Sequence, residues 1–202
     1  LVIAAVICLF PFIWMVSTSF KPMSDIYSMP PTLIPKNGTI ENFVEGWKGA
    51  NFQLYFKNTA VITFLATVGT VLSSSVVAYG FARFQSRLSK ILFMVLLGTM
   101  MLPTQVTLIP QYLLYYKLGM VDTIWPLIIP SWLGGGAFNI FLFIQFFRTL
   151  PKELDEAAKI DGANSLQVFT SILLPAVKPV MLAVLVMAWV FNWNDFFNPL
   201  IS

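Results

Sequence analysis

The sequence contains no histidine and only one cysteine, Cys8. A single cysteine cannot form a disulfide within the chain. Without histidine there is no zinc site of the Cys/His type and no Ser-His-Asp or Cys-His catalytic group. Most classes of enzyme are therefore excluded, and we expect no catalytic residue, no bound cofactor and no metal site in this chain.

Charged residues are also scarce. They make up 10% of the 202 residues, whereas soluble domains carry about 25%. Apolar residues reach 57%, and the net charge of +3 comes from 12 basic and 9 acidic residues. These basic residues are not clustered densely enough to bind nucleic acid. The composition indicates a protein whose solvent is the lipid bilayer.

Long apolar runs predict the fold class. A membrane-spanning helix needs about 20 mostly apolar residues, since the hydrocarbon core is about 30 Å thick. The stretches that meet this requirement are residues 1–20, 59–82, 91–116, 124–147 and 176–201. Backbone groups in lipid must be hydrogen-bonded within the segment, so five runs predict an all-α, polytopic transmembrane helical bundle, a single domain over residues 1–202. Because the chain starts and stops beside apolar runs, we expect it to be a fragment.

The positive charges orient this bundle. Short loops rich in Lys and Arg stay on the cytoplasmic side of a membrane. Residues 83–90 and 148–175, which alternation places on one side, contain all three arginines of the chain. Both segments are therefore predicted to be cytoplasmic, and residues 21–58 are predicted to form an extracytoplasmic loop.

Helix-breaking residues accumulate in the third and fourth predicted spans. They are Pro103, Pro110, Pro126, Pro130 and the triplet Gly134-Gly135-Gly136. In a bundle such residues kink a helix or let another backbone approach closely. Packing geometry without motion is a sufficient account of any one proline. Their accumulation favours a bundle whose helices bend, as in transporters with discontinuous helices.

The segment 148–175 has the pattern of two short helices. Pro151 suits a first helical turn, Asp161-Gly162 suits its end, and Asn164 with Gln167 can form a capping box for the second helix. The expected faces are Leu154, Ala157 and Ala158 in the first helix, with Asp155, Glu156 and Lys159 pointing elsewhere, and Leu166, Phe169, Ile172 and Leu173 in the second.

This segment has no metal-ligand spacing and no carboxylate pair in a pocket, so catalysis is not expected. A short helix with alanines and a glycine at its tip can enter a groove on another protein. The alternative is an amphipathic loop that rests on the membrane surface. The residues alone leave both interpretations open.

One pattern in this segment is specific to a family. Glu156-Ala157-Ala158-x-x-Asp161-Gly162-Ala163 is followed by Phe169-x-x-Ile172-x-Leu174-Pro175. It resembles the EAA loop of ATP-binding-cassette importer permeases, the inner membrane components of binding-protein-dependent transport systems. Further stretches are similar to the carbohydrate branch, which includes the smaller maltose-transporter membrane subunit: Leu102-Pro103-Thr104-Gln105 with Ile109-Pro110, Phe147-Arg148-Thr149-Leu150-Pro151, and Asn192-Trp193-Asn194-Asp195-Phe196.

The resemblance implies a role for these residues. It implies that a cytoplasmic coupling helix and turn dock on an ATPase subunit, formed here by Glu156, Ala157, Ala158, Asp161, Gly162 and Ala163. It further implies a pair of ATPase subunits that bind ATP and Mg²⁺, a second permease subunit, an extracytoplasmic solute-binding protein, the bacterial inner membrane, and a sixth span after Ser202. The chain itself lacks the phosphate-binding pattern GxxxxGK[ST].

Polar residues at membrane depth are the candidates for a substrate pathway, because they usually pair with one another or line a route. The set comprises Gln105, Asn139, Gln145, Asn192, Asn194 and Asp195. Amides beside aromatic rings suit a sugar, although the same amides can instead bond helix to helix. Import of another solute, such as a sugar phosphate or polyol, and a membrane channel or scaffold without an energised partner are the alternative functions.

Overall fold

The computed structural model describes residues 2–49 and 51–201, without the side chains of residues 2–4 and Thr104. Within that part of the chain every regular element is helical, in agreement with the predicted all-α class. Leu1, with which the first predicted span begins, lies outside the described residues. The chain forms two compact units, Leu1–Lys57 and Asn58–Ser202.

In its described part, residues 2–49 and 51–57, the first unit contains three helices and the beginning of a fourth. They are α1 Val2–Ser19, α2 Met23–Ile26, α3 Glu41–Gly49 and α4 Phe52–Arg83, whose later part belongs to the second unit. Lys21 is 2% exposed here; its Nζ donates to the carbonyl oxygen of Thr32 and lies 4.7 Å from the centre of the Trp14 ring. The Asn42 amide donates to the carbonyl oxygens of Ser19 and Lys21, which ties α3 to the end of α1.

Up to Ile201, where the described residues end, the second unit continues through nine further α-helices and one π-helical stretch. They are α5 Arg87–Thr99, α6 Thr104–Lys117, α7 Trp125–Trp132, α8 Ala137–Thr149, α9 Glu153–Ile160, α10 Ser165–Gln167, the π-helical Val168–Leu173, α11 Leu174–Ala176, α12 Lys178–Trp193 and α13 Phe197–Ile201. Its core is built around α8. The side chains of Phe143, Ile144 and Phe147 are fully buried, and so are those of Leu173 and Val184.

Among residues 2–49 and 51–201, two stretches are long and apolar enough to cross a membrane, Phe52–Arg83 and Trp125–Thr149. A third is possible if Ser165–Ala176 and Lys178–Trp193, bent by 79° from each other, form one broken span. The first two overlap the predicted spans 59–82 and 124–147. In the bent pair, Lys178–Trp193 lies within the predicted span 176–201, whereas Ser165–Ala176 falls almost wholly in the predicted cytoplasmic segment 148–175. The number of five spans therefore stays a prediction.

Proline explains why the predicted span 91–116 is divided. Helix α5 ends at Thr99 and α6 starts at Thr104, with Pro103 as the residue before its first turn. Proline has no N–H to donate and disfavours helical geometry in the residue before it, which favours a break at Pro103. The same residue type is tolerated inside α6, which continues through Pro110. The predicted span 176–201 is likewise interrupted, since α12 ends at Trp193 and α13 starts at Phe197.

The face of α4 that the second unit buries is made of small residues. It comprises Thr63, Ala66, Thr67, Gly69, Thr70, Val71, Ser74, Ser75, Ala78 and Ala82. Small side chains let a neighbouring backbone approach closely. Several are hydroxyls that bond to carbonyls of their own helix, as Ser74 does to Thr70 at 2.5 Å and Ser75 to Leu72 at 2.8 Å.

The glycine triplet between α7 and α8 lies against this face. Gly135 has φ +68°, and a Cβ there would lie 2.5 Å from the carbonyl oxygen of Thr70. The hydroxyl of Ser73 donates to the carbonyl oxygen of Ser131 at 2.7 Å, which provides a partner for a carbonyl freed by the break. The Trp132 indole donates to the carbonyl oxygen of Leu65 at 3.2 Å. The close approach of another backbone, one of the two outcomes expected at the glycine triplet, is present, and the approaching backbone belongs to α4.

Candidate functional site

Helix α9 has the start and end that its residues predict. Its first turn carries Glu153, Asp155 and Glu156, where the helix dipole favours negative charge. At the other end Gly162 has φ +87°, a conformation that favours glycine. Its N–H donates to Lys159 O at 3.1 Å and the next N–H, of Ala163, donates to Ala158 O at 2.9 Å. These two bonds form a Schellman motif, which ends the helix and turns the chain.

The predicted capping box follows directly. The Gln167 N–H donates to the Asn164 side chain at 2.9 Å, and the Asn164 N–H donates to the Gln167 side chain at 2.8 Å. The predicted apolar stripe of the second helix is wrong in part, because Leu166 is 68% exposed. The π-helical stretch that begins at Val168 changes the period, so the buried face is Val168, Phe169 and Leu173.

The faces of α9 also differ from the prediction. Asp155, expected to point away from the protein, is buried together with Ala158, whereas Ala157 is exposed. The opposite side of the helix presents Glu156, Ala157 and Ile160, and Ile160 is 86% exposed. We call these three residues the outer face of α9. An exposed isoleucine beside alanine and a carboxylate is a surface that a partner can cover.

The buried side of α9 is held by a charge from α4. The Nε atom of Arg83 lies 2.8 Å from Oδ2 of Asp155, and the two side chains are 7% and 12% exposed. The Nε–H bond is not directed well enough to count as a hydrogen bond, so this contact is an ion pair by distance. The two terminal nitrogens of Arg83 donate to Leu150 O at 3.3 Å each. One guanidinium thus binds both sides of the turn between α8 and α9.

Tyr79, one turn before Arg83 on α4, holds the second helix of the segment. Its hydroxyl donates to Ser165 O at 3.2 Å. Its ring lies 5.1 Å from that of Phe169 and 6.3 Å from that of Phe147, between centres. The last turns of α4 therefore contact both helices of the segment 148–175.

These contacts also bring the two predicted cytoplasmic segments together. Arg83 and Leu150 are at the same end of the second unit, and Arg148 lies with its guanidinium carbon 5.2 Å from the centre of the Phe93 ring on α5. Arg83 belongs to the first of these segments and Leu150 to the second, whereas Phe93 lies in the predicted span 91–116. The side of the membrane that the two segments face stays a prediction.

A second candidate site is a cleft of about 210 Å³ bordered by α6, α7, α12 and α13. Among its lining residues, Gln111, Tyr112, Asn192 and Asp195 combine amide, phenol and carboxylate groups. Asp195 is the only charged side chain that lines it among the residues described. In residues 2–49 and 51–201, no group of three or more Cys, Asp or Glu side chains is placed to hold a metal ion.

The structure brings only two of the six predicted pathway residues to this cleft, Asn192 and Asp195. Three amides bond to backbone of their own segment: Asn139 to Gly135 O at 2.7 Å, Asn192 to Ala188 O at 2.7 Å and Asn194 to Val190 O at 2.8 Å. The Asp195 carboxylate accepts from the N–H and amide of Asn198 at the start of α13, at 3.2 and 2.8 Å. Gln105 and Gln145 are exposed and do not line the cleft.

Sequence reasoning missed the Arg83–Asp155 pair and the aromatic and hydroxyl contacts of Tyr79. The partners of the ion pair are far apart in the chain, and no local periodicity links them. The sequence offered only a weak signal for choosing Asp155 as the buried acid. Asp155 follows Glu153 and precedes Glu156, so each of the three acids suits the start of a helix equally well.

Comparison with known proteins finds a family of membrane transport components and several permease proteins. Residues 69–201 match the family described as "Binding-protein-dependent transport system inner membrane component". The chain is 34% identical over 199 residues to the trehalose/maltose transport system permease protein MalG of Thermococcus litoralis, covering 96% of this chain and 70% of that protein. It is 34% identical over 187 residues to the melibiose/raffinose/stachyose import permease protein MelC of Bacillus subtilis, covering 92% and 67%.

Two further matches add a relative named for a different solute and a solved structure. The sn-glycerol-3-phosphate transport system permease protein UgpE of Yersinia enterocolitica is 34% identical over 208 residues, covering 100% of this chain and 73% of that protein. A crystal structure of a bacterial ABC transporter involved in the import of alginate, an acidic polysaccharide, contains a chain with TM-score 0.87 and 24% identity. That match covers 96% of this chain and 68% of the other, and it establishes the fold. This chain spans about two thirds of the length of its relatives.

Proposed function

Because the chain belongs to the family of binding-protein-dependent transport system inner membrane components, we propose that it is a permease subunit of an ATP-binding-cassette importer for a carbohydrate. It would form one half of the translocation pathway, beside a second permease subunit, in the inner membrane. An extracytoplasmic binding protein would deliver the solute, and a pair of cytoplasmic ATPase subunits would bind ATP and Mg²⁺.

The observation that carries the coupling role is the outer face of α9. Its opposite side is fixed by Asp155 and Ala158, while Glu156, Ala157 and Ile160 stay exposed at a turn closed by Gly162. A short, rigid helix with small and apolar residues outward fits a groove on another protein. We propose that this groove is on the ATPase subunit and that Asp161, Gly162 and Ala163 form the turn that enters it.

The proposed topology places the turn at the cytoplasmic surface. Residues 83–90 and 148–175 would be cytoplasmic and residues 21–58 extracytoplasmic. The hydrogen bonds of Arg83 with Leu150 and its ion pair with Asp155 support one common side for the first two segments. The excess of arginine there supports the cytoplasm.

The cleft between α6, α7, α12 and α13 supports an uncharged solute. Its described lining offers the amides of Gln111 and Asn192, the phenol of Tyr112 and the carboxylate of Asp195, but no Lys or Arg side chain. Sugars are bound through hydrogen bonds to hydroxyls and through aromatic rings against C–H surfaces. A phosphorylated solute would need cations. The names of MalG and MelC refer to trehalose, maltose, melibiose, raffinose and stachyose, which are uncharged sugars and point the same way.

Import of a sugar phosphate or polyol is the second candidate, because UgpE is as similar in sequence as the sugar permeases. A channel or scaffold with no ATPase is the third. Uptake of labelled neutral sugars, polyols and sugar phosphates by cells with and without the intact transporter separates the first two. Uptake of only phosphorylated solutes would contradict the carbohydrate proposal.

The coupling role is tested with the full-length protein in native membranes. Glu156→Lys reverses a charge on the outer face of α9, and Glu45→Lys makes the same change on the exposed surface of α3. We expect the first variant to lose copurification of the ATPase and ATP-dependent uptake, and the second to keep copurification. If an ATPase never copurifies with the wild-type protein, or if it stays bound and active with Glu156→Lys, the proposal is wrong.

A further inference from the structure

We propose that Arg83 is a positioning residue that joins the turn between α8 and α9 to the end of α4, so that a movement of α9 is passed to α4. This inference rests on the proposed function, because it assigns the route by which ATPase motion would reach a membrane-spanning helix. Asp155 is its charged partner, and Leu150 O is its second attachment point.

The contact between Arg83 and Asp155 lies beside buried apolar side chains. Phe147, Val168 and Phe169 are buried in the same core that receives the segment 148–175. In an environment of low dielectric constant a charge without its partner is strongly unfavourable. We therefore expect Arg83 and Asp155 to stay paired when α9 is displaced.

Stability alone is a weak explanation of the pair. Apolar residues of similar volume can replace a buried ion pair without loss of stability. Oδ1 of Asp155 is also buried without a hydrogen-bond partner among the described residues, so the pair is not fully satisfied. What the pair does provide is a fixed geometry: a planar guanidinium that binds a carboxylate and a carbonyl at once holds two segments at a defined angle.

The position of Arg83 indicates that a displacement of α9 would be transmitted to α4. Arg83 is the last residue of this 32-residue helix, and it contacts both Leu150, which follows α8, and Asp155 in the first turn of α9. A push on the outer face of α9 is therefore received at Asp155, on the other side of the same helix. As long as the Arg83 guanidinium stays bound to Asp155, the end of α4 moves together with α9.

The test uses the complete transporter, with its ATPase and binding protein, in proteoliposomes. The variants are Arg83→Gln and Asp155→Asn, which each remove one charge of the pair. The matched controls are Arg87→Gln, an exposed arginine four residues further on, and Asp122→Asn, an exposed aspartate with φ +63° that asparagine also accepts. For each we measure copurified ATPase, ATP hydrolysis with and without solute-loaded binding protein, and solute imported per ATP hydrolysed.

We expect both test variants to keep the ATPase bound while solute imported per ATP falls about tenfold, within the range typical of coupling between sites. The stimulation of ATP hydrolysis by loaded binding protein should fall in parallel, and both controls should stay at wild-type values. A merely structural role would lower assembly and leave the ratio in the surviving complexes unchanged. That result, or an unchanged ratio in well-assembled variants, overturns the proposal.

The exchange of the two charges, Arg83→Asp with Asp155→Arg, addresses variants that fail to accumulate. The proposal predicts that it restores part of the import per ATP, and Arg83→Lys should give an intermediate value because lysine lacks the planar fork. If none of these variants accumulates in the membrane, the pair is structural and the proposal is wrong. A wild-type protein that binds no ATPase would instead contradict the proposed function, which keeps the two failures distinct.

Discussion

Substitution of Gly135 by alanine tests the contact between the glycine triplet and α4. Two separate costs are expected. The backbone of Gly135 has φ +68°, where a residue with a Cβ is disfavoured by about 1–2 kcal/mol. The new Cβ would also lie 2.5 Å from the carbonyl oxygen of Thr70 and 2.9 Å from the hydroxyl oxygen of Ser73. Overpacking of this kind costs about 1–3 kcal/mol.

Gly119 provides the matched control. Its φ is +66°, and a Cβ built there would have no neighbour within 4 Å. Gly119→Ala therefore has the conformational cost without the steric cost. The difference between the two variants isolates the contact with α4, and its expected size is about 1–3 kcal/mol.

The assay is thermal unfolding of the purified full-length protein in detergent, followed by tryptophan fluorescence. At about 2–4 °C per kcal/mol for a chain of this size, Gly135→Ala should unfold roughly 2–12 °C below Gly119→Ala. If the two variants unfold at the same temperature, α4 does not lie against the triplet as described.

Three further variants test local features, each by hydrogen exchange or thermal unfolding. Asn164→Ala should increase exchange of the amides that start α10, since loss of an N-cap costs about 1 kcal/mol, and unchanged exchange would contradict the capping box. Gly162→Val should destabilise the end of α9 by about 1–2 kcal/mol through φ +87° alone, and a neutral result would mean that the turn is not left-handed. Gly69→Ala places a Cβ 2.5 Å from the Trp132 ring, whereas Gly80→Ala meets nothing within 4 Å, so only the first should lower the unfolding temperature.

Features with a local cause could be predicted from sequence. The capping box of Asn164 depends on two side chains three residues apart, and the turn at Gly162 depends on one glycine after a helix. The break at the glycine triplet and the division of the third span at Pro103 are also properties of a few consecutive residues. The capping box and the turn at Gly162 were predicted and are present. At Pro103 and at the glycine triplet the sequence predicted a kink or a close backbone approach within one span, and the structure has a break between two helices.

Features that depend on distant partners could not be predicted. Asp155 was expected to point elsewhere because the spacing of Leu154, Ala157 and Ala158 assigned the packed face to those three residues. Nothing nearby in the chain indicates that Arg83 would bury it. Leu166 was placed on an apolar stripe of period 3.6, which the π-helical stretch from Val168 interrupts. For the pathway residues, burial and hydrogen bonds are now described, while contact with a solute stays a prediction.

The position of the Ser73–Ser131 bond along α4 has a mechanical consequence. Ser73 lies about 15 Å along the helix axis from Arg83 and about 22 Å from Asn58, at 1.5 Å per residue. If α4 turns as a rigid rod about this bond, it is a lever with unequal arms. Each ångström of displacement at the Arg83 end then becomes about 1.5 Å at Asn58, in the opposite direction.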